Sequence, residues 1–147
     1  MKIAVGSDHA GYKMKEKVKE ILKSRGIEVV DFGTDSEKSV DYPDYGLKVA
    51  RAVAKGEVKY GITVCWTGNG MNMAANKVRG IRAGMALNPD MAFLTRSHNN
   101  ANVLTLASKY VPEDLLEDII RNFLETPFEG GRHERRVEKI EEAEKGN

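Results

Sequence analysis

Apolar runs of strand length alternate with apolar positions at helical spacing about five times along the chain, and this alternation restricts the fold more than any other feature. "KIAVG" at 2–6 reads as a buried strand, and Met14, Val18, Ile21 and Leu22 then recur at helical spacing until Gly26 ends the helix. "IEVVDFG" supplies a second strand, and Leu47, Ala50, Val53 and Ala54 mark a second helix closed by Gly56. Between them, "TDSEKSVDYPDY" reads as the longest irregular piece. "YGITVC" is the third strand; a glycine turn follows, then a short helix whose inner face is predicted at Met73, Ala74 and Val78. "IRAGMAL" is the fourth, and Asn88 with Pro89 supplies the N-cap and first turn of a helix through about Arg96. "NVLTLA" is the fifth. Pro112 then opens a strongly amphipathic helix with Leu115, Leu116, Ile119, Ile120, Phe123 and Leu124 on one side.

Strands this apolar, separated by helices, belong in a parallel sheet covered on both faces. The predicted fold is α/β, a three-layer α/β/α sandwich of the doubly wound kind, with ligands beyond the carboxyl ends of its strands at a switch point in strand order. At 147 residues the chain is most simply one domain, 1–147. The tail, 130–147, is a helix pattern with few apolar positions, chiefly Val137, Ile140 and Ala143. So thin a stripe is predicted to pack on a partner subunit. Lys+Arg at 23 against Asp+Glu at 22 leaves a net charge of +1, which offers nucleic acid or an anionic membrane no general attraction. "RHERR" has no aromatic platform for a nucleic acid strand. The N-terminal apolar run is too short for a signal peptide and no stretch approaches a membrane span, so a soluble cytoplasmic protein is expected.

The chemistry gathers at strand ends. Strand one delivers "SDHAG", which puts Asp8 and His9 in the crevice. Strand three delivers the lone Cys65 and then "WTGNG", where Gly68 and Gly70 permit a turn with inward N–H groups ahead of a helix start. Such a turn suits an oxyanion or enediolate and should favour the Cys65 thiolate as base or nucleophile. "TGNG" lacks the lysine and hydroxyl residue of a P-loop, and a dinucleotide fingerprint would belong after strand one. Each residue also has a plainer reading: Cys65 as strand-end packing, His9 and His98 as polar loop residues, Asp8 as a helix cap, Arg132 and Arg136 as a solvated ion-paired face. Met71, Met73, Met85 and Met91 read as core filler. The histidines, His9, His98 and His133, are dispersed in sequence with no clustered ligand spacing, so neither a metal nor a cofactor is expected.

Taken in order, "SDHAG", "DYPDY", "C-x-T-G-x-G-M", "AANK", "SHNNANVL" and "GGRHERRV" resemble the B-type ribose-5-phosphate isomerases and their galactose-6-phosphate and allose-6-phosphate isomerase relatives, over essentially the whole chain. The resemblance implies a Rossmann-like fold and a metal-independent aldose–ketose isomerase, working as a homodimer or a dimer of dimers with sites at the subunit interface. It implies Cys65 as the base that moves a proton between C1 and C2 through a cis-enediolate, Thr67 as a proton shuttle, and the backbone from Trp66 through Gly68 and Asn69 to Gly70 as the anion hole. His98 matches the residue that opens the furanose ring. Asp8, Tyr42 and Asn99 match sugar-contacting positions, and His9, Arg132 and Arg136 match phosphate-binding ones.

Geometry points to an interface site independently of the resemblance. A helix from 88 to 97 descends about 15 Å from the upper edge of the sheet, which leaves His98 at the lower edge while Cys65 stands at the upper. Arg132 and Arg136 begin at the lower edge too. An antiparallel homodimer would bring the two edges together, with His98 given in trans. The sequence departs from the resembled pattern around the substrate: Trp66 stands where glycine is usual, Asn69 and Asn72 replace an aliphatic residue and a serine, and Lys109 stands where a phosphate-binding arginine is common. Trp66 therefore has either an ordinary backbone or a strained one, and it reads as a specificity element. The substrate expected is a sugar or sugar phosphate, ribose 5-phosphate first and another sugar or 6-phosphosugar (allose, galactose) second. A thiol-nucleophile hydrolase or transferase and a non-catalytic sugar-phosphate binding module are the readings from other classes.

Overall fold

The computed structural model describes residues 1–146; Asn147, the last residue of the expected tail, lies outside them. Five strands, β1 (Lys2–Ser7), β2 (Glu28–Asp31), β3 (Tyr60–Cys65), β4 (Ala83–Met85) and β5 (Val103–Ala107), form one parallel sheet in the order β2-β1-β3-β5-β4. Helices α1 (Tyr12–Ser24), α4 (Pro89–Ser97) and α5 (Leu116–Glu125) pack together on one face, and α2 (Tyr42–Ala54) and α3 (Asn69–Asn76) on the other. The expected α/β/α architecture is present. α6 (Arg132–Lys145) closes the chain. No helix among the described residues is long and apolar enough to cross a membrane.

Side-chain alternation makes the two faces of the sheet unlike. Ile3, Val5, Ile62, Val64, Leu104 and Leu106 point to one side, where with Val18, Leu22, Ile119, Ile120 and Phe123 they build the main core. The other side carries Ala4, Gly6, Gly61, Thr63 and Thr105, small enough for α2 to press close. A β-carbon on Gly61 would stand 2.5 Å from Val49. Cys65 belongs to this second face, which is why the start of α3 can reach its sulfur.

Several boundaries differ from the sequence reading. Tyr42–Tyr45 lie in the first turn of α2, not in the preceding loop, because Pro43 serves as a helix-opening proline. The inner face of α3 is Met71 and Ala75; Met73 is 66% exposed and does not fill the core. β4 keeps only three residues, since it is an edge strand paired on one side. A single 3-10 turn at Glu113–Leu115 follows Pro112 before α5 begins. On α6, His133 and Val137 are buried within their own chain, and Arg82 pairs with Glu141 at 3.2 Å, while Ile140 is exposed.

One structural ion cluster was not legible in the sequence. The Lys15 side chain is 1% exposed, and its ammonium bonds both oxygens of Asp31 at 2.8 Å, with Lys19 adding a third contact at 2.7 Å. Burial pushes the Asp31 carboxyl up, but hydrogen bonds from Lys15, Lys19 and the Gly33 N–H outweigh it and hold the group below its ordinary value. Asp31→Ala leaves the buried ammonium short of its main partner and is expected to cost about 3 kcal/mol, read from urea unfolding at neutral pH. Because the folded carboxyl titrates below the unfolded one, its contribution is complete above the unfolded value and is lost as pH falls through the folded one. The gap between wild type and variant should therefore close on acidification.

Candidate active site

The order β2-β1-β3 makes a switch point between β1 and β3, because α1 leaves β1 on one face and α3 leaves β3 on the other. Asp8 and Cys65 stand on either side of it. Asp8 is 7% exposed; its backbone N–H donates to the Val64 carbonyl, and its Oδ1 accepts from the Gly11 N–H at 2.9 Å. It thus closes the turn that starts α1 and lies close enough to bear on the thiol. Ser108, which carries no signal in the sequence, links the ends of β3 and β5 to the loop after β1: its one hydroxyl proton lies within reach of the Ala10 carbonyl at 3.1 Å and the Cys65 carbonyl at 3.3 Å and is shared between them. A serine after a strand carries no pattern that would have singled it out.

The turn after β3 takes the shape its glycines allow. Gly68 has φ +81, and a β-carbon there would meet Met85 Sδ at 2.5 Å. At Gly70 a β-carbon would run into the Tyr42 ring, also at 2.5 Å, so Tyr42 lies against the turn from α2. Asn69 N–H reaches the Thr67 hydroxyl at 3.4 Å, a local turn contact. The Asn72 amide oxygen beneath is buried without a partner.

The Cys65 thiol is buried, and burial pushes its pKa up. The N–H groups of Met71, Gly68 and Gly70 pull it down, and Asp8 pushes it up again. The net direction is upward. The expectation that the turn would favour the thiolate therefore holds for the amides alone; desolvation beside a carboxylate wins over them in the single chain.

Trp66 has an ordinary backbone, since Asn100 is the non-glycine residue with positive φ among those described. Its indole is 52% exposed, with the Lys109 ammonium 5.8 Å from the ring centre, and its carbonyl accepts from the Lys109 N–H. His9 Nδ1 accepts from the Val40 N–H at 3.2 Å, which leaves Nε2 to carry the proton, the right tautomer to donate to an anion.

The remaining residues stand elsewhere. In the β3/β5 register Gly61 pairs with Val103 and Cys65 with Ala107, so the two ends of the sheet are about 13 Å apart along the strands. His98 caps the C-terminus of α4 and precedes Val103 in the chain, which puts it with Asn99 at the edge opposite Cys65. The backbone of Glu129 bonds Ser97, and the His98 and His133 rings stack at 4.1 Å, so Arg132 and the start of α6 join that edge. Arg132 and Arg136 are exposed there, and Asn99 lines a cavity with Arg82, Thr95 and Ile140. Within one chain, then, Asp8, His9, Tyr42, Cys65 to Gly70 and Lys109 come together. His98, Asn99, Arg132 and Arg136 do not join them.

Comparison with known proteins shows the family. A family model described as Ribose/Galactose Isomerase matches residues 3–140. Ribose-5-phosphate isomerase B of Escherichia coli is 48% identical over 95% of this chain and 93% of its own. The structure of the Clostridium thermocellum ribose-5-phosphate isomerase B superposes with TM-score 0.97 at 53% identity, covering 99% of both chains. That of Mycoplasma genitalium, with bound ribulose 5-phosphate, superposes with TM-score 0.95 at 42% identity, covering 99% of this chain and 97% of its own. The chain belongs to the ribose/galactose isomerase family and is an aldose–ketose isomerase.

Proposed function

We propose that the chain interconverts ribose 5-phosphate and ribulose 5-phosphate as a homodimer, with Cys65 as base and His98 supplied by the second copy. Ribose 5-phosphate is the sugar in the names of the E. coli and C. thermocellum relatives, and ribulose 5-phosphate is bound in the M. genitalium one. The observation that carries the mechanism is the Cys65 thiol at the switch point, faced by the N–H groups of Gly68, Gly70 and Met71. Cys65 as thiolate takes the proton from C2 of the open-chain aldose. The electron pair forms the C1–C2 double bond, negative charge gathers on O1, and the thiol returns the proton to C1 as the carbonyl forms at C2. The N–H groups of the turn stabilise the enediolate where its charge develops, and the Thr67 hydroxyl passes the proton between O1 and O2.

The homodimer answers the separation of the two edges. A second copy packed antiparallel lays its His98, Asn99, Arg132 and Arg136 over the Cys65 crevice, where exposed Tyr42, Trp66 and Met73 give it apolar surface to cover. Incoming arginines would also draw the buried thiol toward its charged form, against the upward push of burial. His9, Lys109 and these arginines bind the phosphate.

The test is a substrate panel followed by NMR in heavy water: ribose 5-phosphate, allose 6-phosphate, galactose 6-phosphate and the unphosphorylated sugars. Deuterium entering at the carbon beside the carbonyl, fastest on ribose 5-phosphate, is the expected result. No exchange on any sugar sinks the proposal, and faster exchange on a 6-phosphosugar reassigns the substrate. Trp66 is expected to tune that ranking from the rim. Trp66→Gly should alter the ratio of kcat/KM between ribose 5-phosphate and allose 6-phosphate by about tenfold, a typical worth for one apolar contact. An unchanged ratio would make the indole an interface residue without a part in substrate choice.

A further inference from the structure

The chain's dispersed histidines do not stay dispersed. His98 ends α4 and His133 lies in the first turn of α6, yet their rings stack at 4.1 Å between centres with only 14° between planes. Glu129 approaches both: its Oε2 is 3.9 Å from His98 Nε2 and 3.8 Å from His133 Nε2. The three donor atoms all lie within 4.8 Å of one another. We propose that His98, His133 and Glu129 form a binding site for a transition-metal dication of the zinc type, and that filling it inhibits the isomerase. The inhibitory half rests on the proposed role of His98; the binding half does not.

Three observations carry the site. The donor set, two imidazoles and a carboxylate, is that of many zinc centres with an open fourth position. The two separations from the Glu129 oxygen, 3.9 and 3.8 Å, are too long for hydrogen bonds. They are about half an ångström longer than ligand atoms stand apart around a tetrahedral zinc with bonds of about 2.1 Å. Rings only 14° from parallel do not aim both lone pairs at one ion, so binding requires the His98 ring to turn out of its stack on buried His133; the His98 side chain is 39% exposed and that of Glu129 60%, which leaves both free to move.

Second, His133 is 6% exposed and its Nε2 is buried without a hydrogen-bond partner. A desolvated, unpaired ring nitrogen aimed at a carboxylate is a standing cost that a metal ion would remove.

Third, the backbone under the donors is held. The Glu129 N–H donates to the Ser97 carbonyl at 2.9 Å, joining the segment before α6 to the end of α4, and the His133 N–H donates to Gly130 at 3.0 Å. Gly130 and Gly131, with φ +73 and +55, make the bend between Glu129 and His133 that turns both toward His98. A metal held here takes the lone pair of His98 and with it the ring-opening function.

The experiment uses the full chain, stripped with chelator and exchanged into metal-free buffer. Zn²⁺ is titrated calorimetrically, and Co²⁺ is followed by its visible absorption. Expected are one ion per chain, four-coordinate cobalt bands, affinity weakened at least tenfold in Glu129→Gln, and binding lost in His133→Gln. Glu129→Gln alters an exposed side chain and so keeps the test valid if the buried substitution disturbs folding. Equal affinity in Glu129→Gln and wild type would overturn the site, as would a thiolate-to-cobalt charge-transfer band that persists in His133→Gln, which would place the ion on Cys65 alone. Turnover is then measured with the same Zn²⁺ series. Inhibition that tracks occupancy, is reversed by chelator and is weakened in Glu129→Gln supports the second half. Occupancy without inhibition would leave the metal site standing but overturn the inhibition, and would count against His98 as the ring opener.

Discussion

Cys65→Ala is expected to lower proton exchange at C2 of ribose 5-phosphate by a factor of about 10² to 10⁴, the usual worth of a positioned base, while ribulose 5-phosphate still binds. The substitution removes one buried sulfur and leaves untouched the N–H groups of Gly68, Gly70 and Met71, the Asp8 carboxylate held by Gly11, and the Ser108 contacts that fix the strand ends. Binding, measured calorimetrically, should therefore change little. Heavy-water NMR gives the exchange rate directly and separates loss of the base from loss of ring opening, because an open-chain substrate analogue bypasses the latter. The pH profile adds a sign. Burial and Asp8 hold the thiol above its ordinary value in the single chain, so kcat/KM should climb as pH rises through the thiol's titration, at lower pH to the extent that the partner's arginines offset that push. Exchange persisting near the wild-type rate in Cys65→Ala, or mass added to Cys65 during turnover, would remove the enediol-base role; the second result would point to a covalent thiol mechanism.

The parts of this molecule that the sequence displayed are those written in local pattern. β3 came out residue for residue because six successive buried positions end at a glycine turn. The α4 cap was equally plain, as Asn88 accepts from the Met91 N–H and Pro89 follows it. The start of α2 was obscured because "DYPDY" reads as well for a turn as for a proline-opened helix. The inner face of α3 was misread because an eight-residue helix has little more than two turns, and Met71 and Met73 cannot be told apart by periodicity over so short a span. What depends on tertiary contact was not legible at all: the Lys15–Asp31 pair, the stack of His98 on His133, and the contest between desolvation and amide dipoles at Cys65. Strand topology, by contrast, carried real information about the site. The helix that returns the chain to the lower edge puts His98 opposite Cys65, and that was deducible from the sequence; where the arginines of α6 end up was not.

Separation of the edges also makes the strongest quantitative demand on the proposal. If each site pairs Cys65 of one copy with His98 of the other, then Cys65→Ala and His98→Asn homodimers are both inactive, but their heterodimer is not. One of its two sites carries both lesions; the other has an intact Cys65 from the His98→Asn chain and an intact His98 from the Cys65→Ala chain. Denaturing and refolding the two variants together in equal amounts gives about half heterodimers by random pairing. Activity should thus rise from near zero to about one quarter of the wild-type value. A site built within one chain gives no such recovery, because every site in the mixture then keeps one lesion, and the register that sets Gly61 beside Val103 and Cys65 beside Ala107 argues against that arrangement. Recovery to a quarter would establish the sharing and make the dimer the catalytic unit. Failure to recover, with heterodimer formation verified by mass, would require α4 and α6 to move His98 along the length of the strands to the other edge of the sheet. The buried Thr95, Arg96 and Ser97 just before it, and the Arg96 guanidinium bonded to the Thr126 and Ala101 carbonyls, oppose such a movement.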